Sequence, residues 1–130
     1  MFREMRRLKQ QISNEECIEI LKNEPRGVLS VLGDDGYPYG VPLDHWYSES
    51  DMKLYFHCAK EGHKLDAISK CDKVSYGVMD KGYRKEGEWA LNIRSVIVFG
   101  RIREVLDDEK KSALASVESL RMMKLFLKRK

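Results

Sequence analysis

The chain has no run approaching the roughly 18 consecutive apolar residues of a transmembrane helix, and no apolar signal region follows its basic N-terminal residues. Cysteine is scarce. The three cysteines, Cys17, Cys58 and Cys71, lie far apart and form no Cys-x-x-Cys pair. This spacing excludes a disulfide framework and a dithiol redox centre, and we expect reduced, buried thiols. Together these absences predict a cytoplasmic protein without a membrane partner.

Common nucleotide-binding and hydrolase motifs are also missing. Neither Gly-x-Gly-x-x-Gly nor Gly-x-x-x-x-Gly-Lys-Ser/Thr occurs, and Gly33-Asp34-Asp35-Gly36 is typical of a turn. Without Gly-x-Ser-x-Gly, a serine hydrolase has no nucleophile elbow. We expect no metal site, because His57 and Cys58 are neighbours on a predicted strand and point to opposite faces. No pair of Cys and His residues, His63 included, has the spacing of a zinc finger.

Length and charge limit the remaining possibilities. A chain of 130 residues suits one domain, 1–130, because two cores would each be too small. It is 42% hydrophobic and 35% charged, enough for both a core and a charged surface. The net charge is +3, but the basic residues concentrate at the two ends and the segment between them is net acidic. A nucleic-acid-binding domain would carry a basic stripe on its folded body, so we predict no nucleic-acid partner.

The order of predicted elements favours a mainly β fold of the α+β class. Ser13 and Glu16 form a capping box that begins a short helix, and Pro25 ends it. The predicted strands are 27–32, 37–47, 53–58, 74–79 and 95–105, the last being the longest, and a short helix covers 62–68. Because long helices do not separate consecutive strands, we predict an antiparallel β-barrel with helices on its outside.

Two segments carry more specific predictions. Strand 37–47 contains Pro38 and Pro42, which cannot donate to a hydrogen-bond ladder, so we expect an edge or bulged strand with something other than a strand beside it. Near the C-terminus, acidic residues followed by apolar residues at helical spacing predict the longest helix, from 107 to 126.

The segment around Gly62 has an unusual charge pattern. His63 and Lys64 occupy the first turn of a predicted helix, with Lys60 just before it, although helix N-termini favour acidic side chains. A bound phosphate would resolve this conflict, because it accepts backbone N–H bonds and neutralises basic groups. The alternative is that the lysines are solvated and His63 is a surface residue.

Three further groups are candidates for a small-molecule site. His57 shares a strand face with Tyr55 and could transfer a proton near neutral pH, or it could be a hydrogen-bonded structural histidine. Arg94 and Ser95 could reach a phosphate or a polar ring edge, or they could be ordinary strand-start residues. Five aromatic residues could stack on a planar ring or pack in the core: Tyr37, Tyr39, Trp46, Tyr47 and Tyr55.

The sequence blocks that contain these residues, in the order in which they occur, resemble the flavin-binding split β-barrel family related to pyridoxamine phosphate oxidase, and within it the nitroimidazole-resistance branch. The resemblance extends from Arg6 to Lys110. Its main blocks are Gly36-Tyr37-Pro38-Tyr39-Gly40-Val41-Pro42-Leu43, Tyr55-Phe56-His57-Cys58-Ala59, Gly62-His63-Lys64-Leu65-Asp66-Ala67-Ile68 and Arg94-Ser95-Val96-Ile97-Val98-Phe99-Gly100.

The resemblance implies a homodimer of antiparallel split β-barrels with short flanking helices and FMN at or near the subunit interface. The implied phosphate contacts are Gly62, His63 and Lys64, assisted by Arg94 and Ser95. Val41, Pro42 and Leu43 would lie along the isoalloxazine ring. His57 matches a histidine near flavin and substrate, which makes it the candidate catalytic proton donor.

The implied function is FMN-dependent reduction of small aromatic compounds, including nitroimidazole-type nitro groups. Two alternatives stay open: a non-catalytic flavin-binding stress or carrier protein, and haem binding on the same barrel. Family members often continue past the final helix into a further strand, which we do not expect here. We therefore expect residues 120–127 to pack on a second subunit or on the barrel end.

Overall fold

The computed structural model describes residues 11–50, 52–56, 63–89, 91–104 and 115–129. Within these ranges, antiparallel strands close a barrel in the order β1-β2-β3-β6-β5-β4, which confirms the mainly β barrel prediction. The elements are α1 (Asn14–Asn23), β1 (Arg26–Leu32), β2 (Pro38–Ser48), β3 (Lys53–Phe56), α2 (His63–Lys70), β4 (Lys73–Met79), β5 (Leu91–Glu104) and β6 (Ala115–Arg129).

Helix α1 forms as its capping box predicts. The Ser13 hydroxyl accepts a hydrogen bond from the Glu16 backbone N–H at 3.1 Å, which satisfies a donor that the first turn leaves free. The helix buries Cys17, Ile20 and Leu21 against the barrel core. Cys17 is therefore the buried thiol expected from the sequence, whereas Cys71 is half-buried and Cys58 lies outside the described residues.

The barrel interior follows the period-two alternation of the strands. On β3, Leu54 and Phe56 point into the core. The inward-facing apolar residues of the other strands complete the core, and they include Leu29, Val31, Val74, Tyr76, Val78, Val96 and Val98. None of the helices in the described ranges combines the length and the apolar character that crossing a bilayer requires.

The two halves of β2 have different neighbours. Pro38–Asp44 pairs with β1, whereas His45–Ser48 pairs with β3. Among the described residues, no second strand pairs with the half that contains both prolines. This open edge agrees with the prediction that proline keeps another strand away from this part of the chain.

The predicted C-terminal helix is wrong, because Ala115–Arg129 forms strand β6. β6 pairs with β3 on one side and with β5 along its whole length on the other. Apolar residues at helical spacing gave the helix prediction, but these two partners supply the backbone hydrogen bonds and override local preference. The further strand is therefore present, residues 120–127 belong to the barrel, and the start of the predicted helix lies outside the described residues.

Strand β5 begins earlier than predicted, at Leu91 rather than at Ser95. Arg94 and Ser95 are therefore inside the strand instead of opening it. The segment before β5 is held by a bridge between Tyr83 and Asn92, whose backbone groups exchange hydrogen bonds at 2.9 Å. Among the described residues, β6 is the longest strand, one residue longer than β5.

Candidate functional site

The predicted phosphate contacts lie at different ends of the barrel. Ser95 pairs with Met79 on β4, level with the start of β1, where α1 packs. His63 begins α2 and contacts the turn after β1, at the opposite end. At about 3.3 Å per strand residue, this register separates the two places by roughly 20 Å. One chain therefore does not bring Arg94 and Ser95 to the same phosphate as His63.

His63 is anchored to the β1–β2 turn. Its ring stacks on Tyr39 with the centroids 4.2 Å apart and the planes inclined by 21°. The Asp34 backbone N–H donates to His63 Nε2 at 3.4 Å, and Asp34 Oδ2 lies 3.8 Å from the same nitrogen. Lys70 Nζ lies 3.9 Å from Asp34 Oδ1. Asp34 therefore sits between two basic groups of α2, and an anion here would have to share these groups with it.

Arg94 is engaged by carboxylates. Its Nε donates to Asp80 Oδ2 at 2.9 Å, and its Nη1 lies 3.4 Å from Glu16 Oε2 and 3.8 Å from Glu19 Oε2. The hydrogen bond that Arg94 donates to Asp80 raises the pKa of Arg94, so the guanidinium stays charged. Asp80 Oδ1 also accepts from the backbone N–H groups of Gly82 and Arg94, each at 3.0 Å. Arg94 thus links α1, β5 and the turn after β4.

The remaining predicted contacts fall on β2 or outside the described residues. Val41 and Leu43 are half-buried, and Leu43 packs against the core. Pro42 is exposed on the outer face, opposite Val28 of β1. The predicted proton donor His57, the implied phosphate contact Gly62 and the side chain of Lys64 lie outside the described part of the chain, as does the neighbouring Lys60.

The five aromatic candidates do not form one platform. Tyr39 stacks on His63, as described above. Trp46 and Tyr55 face each other on the outer side of β2 and β3, with centroids 5.4 Å apart. Tyr47 packs against the core, and Tyr37 is exposed at the hairpin turn.

A groove of about 560 Å³ on the outer barrel surface is the principal feature that the sequence reasoning missed. Its outward-facing lining residues come from four strands: Ser30, Leu32, Pro38, Lys73, Ser75, Phe99 and Arg101. The groove lies at the α2 end of the barrel, because two of its lining residues, Leu32 and Pro38, flank the turn that contacts His63. Small or apolar residues at outward positions of a highly charged chain are the sequence signal that could have indicated it.

Two cations lie directly opposite each other in the groove. Lys73 of β4 and Arg101 of β5 are register partners. Like charges in this relation repel. Arg101 Nη1 donates to Asp72 Oδ1 at 2.8 Å, but Lys73 has no ion-pair partner in the parts of the chain that the structure describes. This pair makes the α2 end of the groove suited to an anion.

His45, which the sequence reasoning did not single out, points into the barrel. Its Nε2 lies 2.7 Å from the Leu21 carbonyl oxygen, and its Nδ1 lies 2.7 Å from the Tyr76 hydroxyl. The Tyr76 hydroxyl also reaches the Leu43 carbonyl oxygen at 3.1 Å. Burial lowers the pKa of His45, against smaller opposing effects of the Leu21 hydrogen bond, Asp44 and Glu24. The only sequence signal was a histidine at an inward position of a strand.

The lowered pKa makes stability depend on pH. The unfolded chain takes up a proton at His45 near the ordinary value of about 6.5, whereas the folded protein resists it. The contribution of neutral His45 to the free energy of unfolding is therefore fully present above that value. It is lost as the pH drops through the lower pKa of the folded state, by at most about 1.4 kcal/mol per pH unit. We expect His45→Gln to remove this part of the pH dependence, which urea unfolding measures as the free energy of unfolding between about pH 7.5 and about pH 5. Identical pH profiles for both proteins would contradict the assignment.

No set of three or more His, Cys, Asp or Glu side chains in the described ranges is arranged to hold a metal ion.

The closed antiparallel barrel of the described residues, with α1 at one end, α2 at the other and a groove on its outer face, defines a protein of the split β-barrel class. The chain belongs to the pyridoxamine 5'-phosphate oxidase family, whose pattern matches residues 13–124. This result confirms the family resemblance seen in the sequence. No curated protein gave a significant sequence match.

Solved structures share the fold at low sequence identity. A proposed 5-nitroimidazole antibiotic resistance protein from Bacteroides thetaiotaomicron superposes with a TM-score of 0.77 at 15% identity, covering 90% of this chain and 86% of the other. An FAD-binding protein from Mesorhizobium loti gives 0.72 at 21% identity, covering 91% and 97%. The FAD-binding protein of Mycobacterium smegmatis gives 0.69 at 20% identity, covering 89% and 95%.

Proposed function

We propose that this protein binds FMN and is an FMN-dependent reductase of small aromatic compounds, including nitroimidazole-type nitro groups. The observation that carries the proposal is the outer groove with Lys73 opposite Arg101 at one end. Two opposed cations are relieved by a bound anion. Membership of the pyridoxamine 5'-phosphate oxidase family and the FAD-binding proteins of the same fold support a flavin as that anion.

The groove residues fit the chemistry of FMN, which joins a planar, largely apolar ring to a phosphate. A volume of about 560 Å³ is within the usual range for small-molecule sites. Beside the groove, a Cβ added at Gly77 would meet no atom within 4 Å, so the sheet surface is open there. Exposed Val28 and Pro42 extend this surface to the open edge of β2. The ring would lie along this floor, near Val41–Leu43.

The basic groups at the α2 end would hold the phosphate. Lys73 and Arg101 lie in the groove, and His63 with Lys64 begins the neighbouring helix. Arg94 and Ser95 lie at the other end of the same barrel. They would therefore contact a phosphate only at a site that two subunits form together. A cytoplasmic homodimer is therefore part of the proposal, and its interface would cover the exposed apolar residues of the outer face, among them Val28, Leu32 and Met79.

Bound flavin would supply the electrons for reduction. His57 would donate a proton to the substrate, because imidazole exchanges protons near neutral pH. The apolar groove wall would exclude water from the ring, and the open edge of β2 would leave room for a planar substrate beside it.

Replacing Lys73 by alanine is expected to weaken FMN binding about tenfold, or about 1.4 kcal/mol, because one charge-assisted contact to phosphate is lost. Riboflavin has the same ring and no phosphate, so its affinity should stay unchanged in the variant. Flavin fluorescence titration measures both constants. The matched control is Lys81→Ala, which removes an exposed lysine from the turn after β4. Equal loss for FMN and riboflavin would show that Lys73 does not contact the phosphate.

The same titrations test the cofactor itself. Tighter binding of FMN than of FAD is expected, and the reverse order would replace FMN by FAD in the proposal. A protein that gains no visible flavin spectrum with either would overturn it, and a Soret band after haem addition would favour haem. Anaerobic mixing of dithionite-reduced holoprotein with a nitroimidazole tests turnover. Reduced flavin that persists would indicate a non-catalytic carrier.

A further inference from the structure

We propose that His45 and Tyr76 form a proton-linked hydrogen-bond switch that positions the Leu43 carbonyl group on β2. The three groups form one chain inside the barrel, with 2.7 Å between His45 Nδ1 and the Tyr76 hydroxyl and 3.1 Å between that hydroxyl and the Leu43 carbonyl oxygen. His45 and Tyr76 are positioning residues, because both would act through the backbone of Leu43.

In the neutral state of His45, the Leu21 carbonyl decides which ring nitrogen carries the proton. A carbonyl oxygen only accepts, so Nε2 donates to Leu21 and Nδ1 is left with a lone pair. Tyr76 must then donate its single hydroxyl proton to Nδ1. The Leu43 carbonyl oxygen therefore receives no proton from Tyr76 in this state.

Protonation of His45 reverses the second hydrogen bond. Both ring nitrogens now donate, and Nδ1–H points at the Tyr76 oxygen. The Tyr76 proton is released from His45 and can be donated to the Leu43 carbonyl oxygen. One proton gained at the imidazole thus moves one hydroxyl proton between two acceptors, and every group of the chain is satisfied in the charged form.

The surroundings allow His45 to exist in both states. Asp44, the next residue on β2, and Glu24, at the end of α1, favour the charged imidazole, and Arg26 of β1 partly offsets Asp44 by pairing with it. β3 contributes Phe56, the register partner of His45, which is apolar. Burial favours the neutral imidazole of His45. Burial also raises the pKa of Tyr76, so its hydroxyl stays protonated.

The switch acts where β2 has least support. Leu43 belongs to the half of β2 that pairs, among the described residues, with β1 alone. An additional hydrogen bond to its carbonyl group therefore changes how firmly this segment is held. The consequence for flavin rests on the proposed function, in which Val41–Leu43 lie along the ring. A falling pH would then alter flavin binding through His45, without a titrating group in the groove.

The test is an NMR titration of the full chain without flavin. Leucine labelled with ¹³C at the carbonyl and aspartate labelled with ¹⁵N select the three Leu-Asp pairs, at Leu43, Leu65 and Leu106. The Leu43 carbonyl signal is expected to shift with pH at the midpoint at which the His45 ring nitrogens titrate. The signals of Leu65 and Leu106 are the internal controls and should not follow that midpoint.

Tyr76→Phe should abolish the Leu43 shift while His45 still titrates, and His45→Gln should abolish it as well. A Leu43 signal that does not follow His45 in the native protein would overturn the proposal. So would an unchanged response in Tyr76→Phe, or an imidazole that stays neutral until the barrel unfolds. Because no flavin is present, failure of the flavin proposal leaves this result intact. Added FMN should then show a pH-dependent affinity that Tyr76→Phe loses.

Discussion

Gly27→Ala is expected to lower the free energy of unfolding by about 3 kcal/mol, near the upper end of typical overpacking costs. A Cβ at this position would lie 2.5 Å from the Gly77 carbonyl oxygen and 2.6 Å from Cζ of Tyr76. The carbonyl belongs to the backbone of β4, which is paired with both β1 and β5. Relief would therefore require displacing a strand or the buried Tyr76 ring.

Gly77→Ala is the matched control, because an added Cβ there meets no atom within 4 Å. Its stability should be unchanged or slightly higher, since alanine loses less conformational entropy on folding than glycine. Urea unfolding of the two variants beside the native protein measures the difference. Similar effects at both glycines would show that the contact with Tyr76 and β4 does not limit the space at Gly27.

Arg94→Ala is expected to cost about 2–3 kcal/mol of stability. The substitution removes the guanidinium that pairs with Asp80, whose side chain is only 16% exposed, and with Glu16 and Glu19. It also removes the ion pairs that join Arg94 of β5 to α1. Denaturant midpoints at constant pH measure the loss, and Arg94→Lys should recover part of it, because lysine restores the charge without the planar fork.

Arg26→Ala provides the control for Arg94. Arg26 and Asp44 also form a short ion pair, at 2.6 Å, but their side chains are 70% and 65% exposed. Water screens such a pair, so the unfolding midpoint should hardly change. A loss of FMN affinity in Arg94→Ala with full stability would contradict the structural role and favour the phosphate contact implied by the family resemblance.

The sequence predicted the candidate site only in part. His63 was proposed as a phosphate contact because a basic residue type is unusual at a helix start, and that pattern is visible locally. Lys73 and Arg101 carry no such signal, because they are far apart in the chain and become opposed only through the pairing of β4 with β5. The role of His45 also depends on groups from α1 and β4 that no local pattern connects with it.

The sequence by itself determined the features that depend on neighbouring residues: the capping box of α1, the turn at Asp34–Gly36, and the alternation that turns Leu54 and Phe56 inward. Tertiary structure decided that 115–129 is a strand, where the groove opens, and which ends of the barrel receive Arg94 and His63. The physical reason is that backbone hydrogen bonds and charges between distant strands outweigh local preference, and these pairings exist only once the barrel has closed.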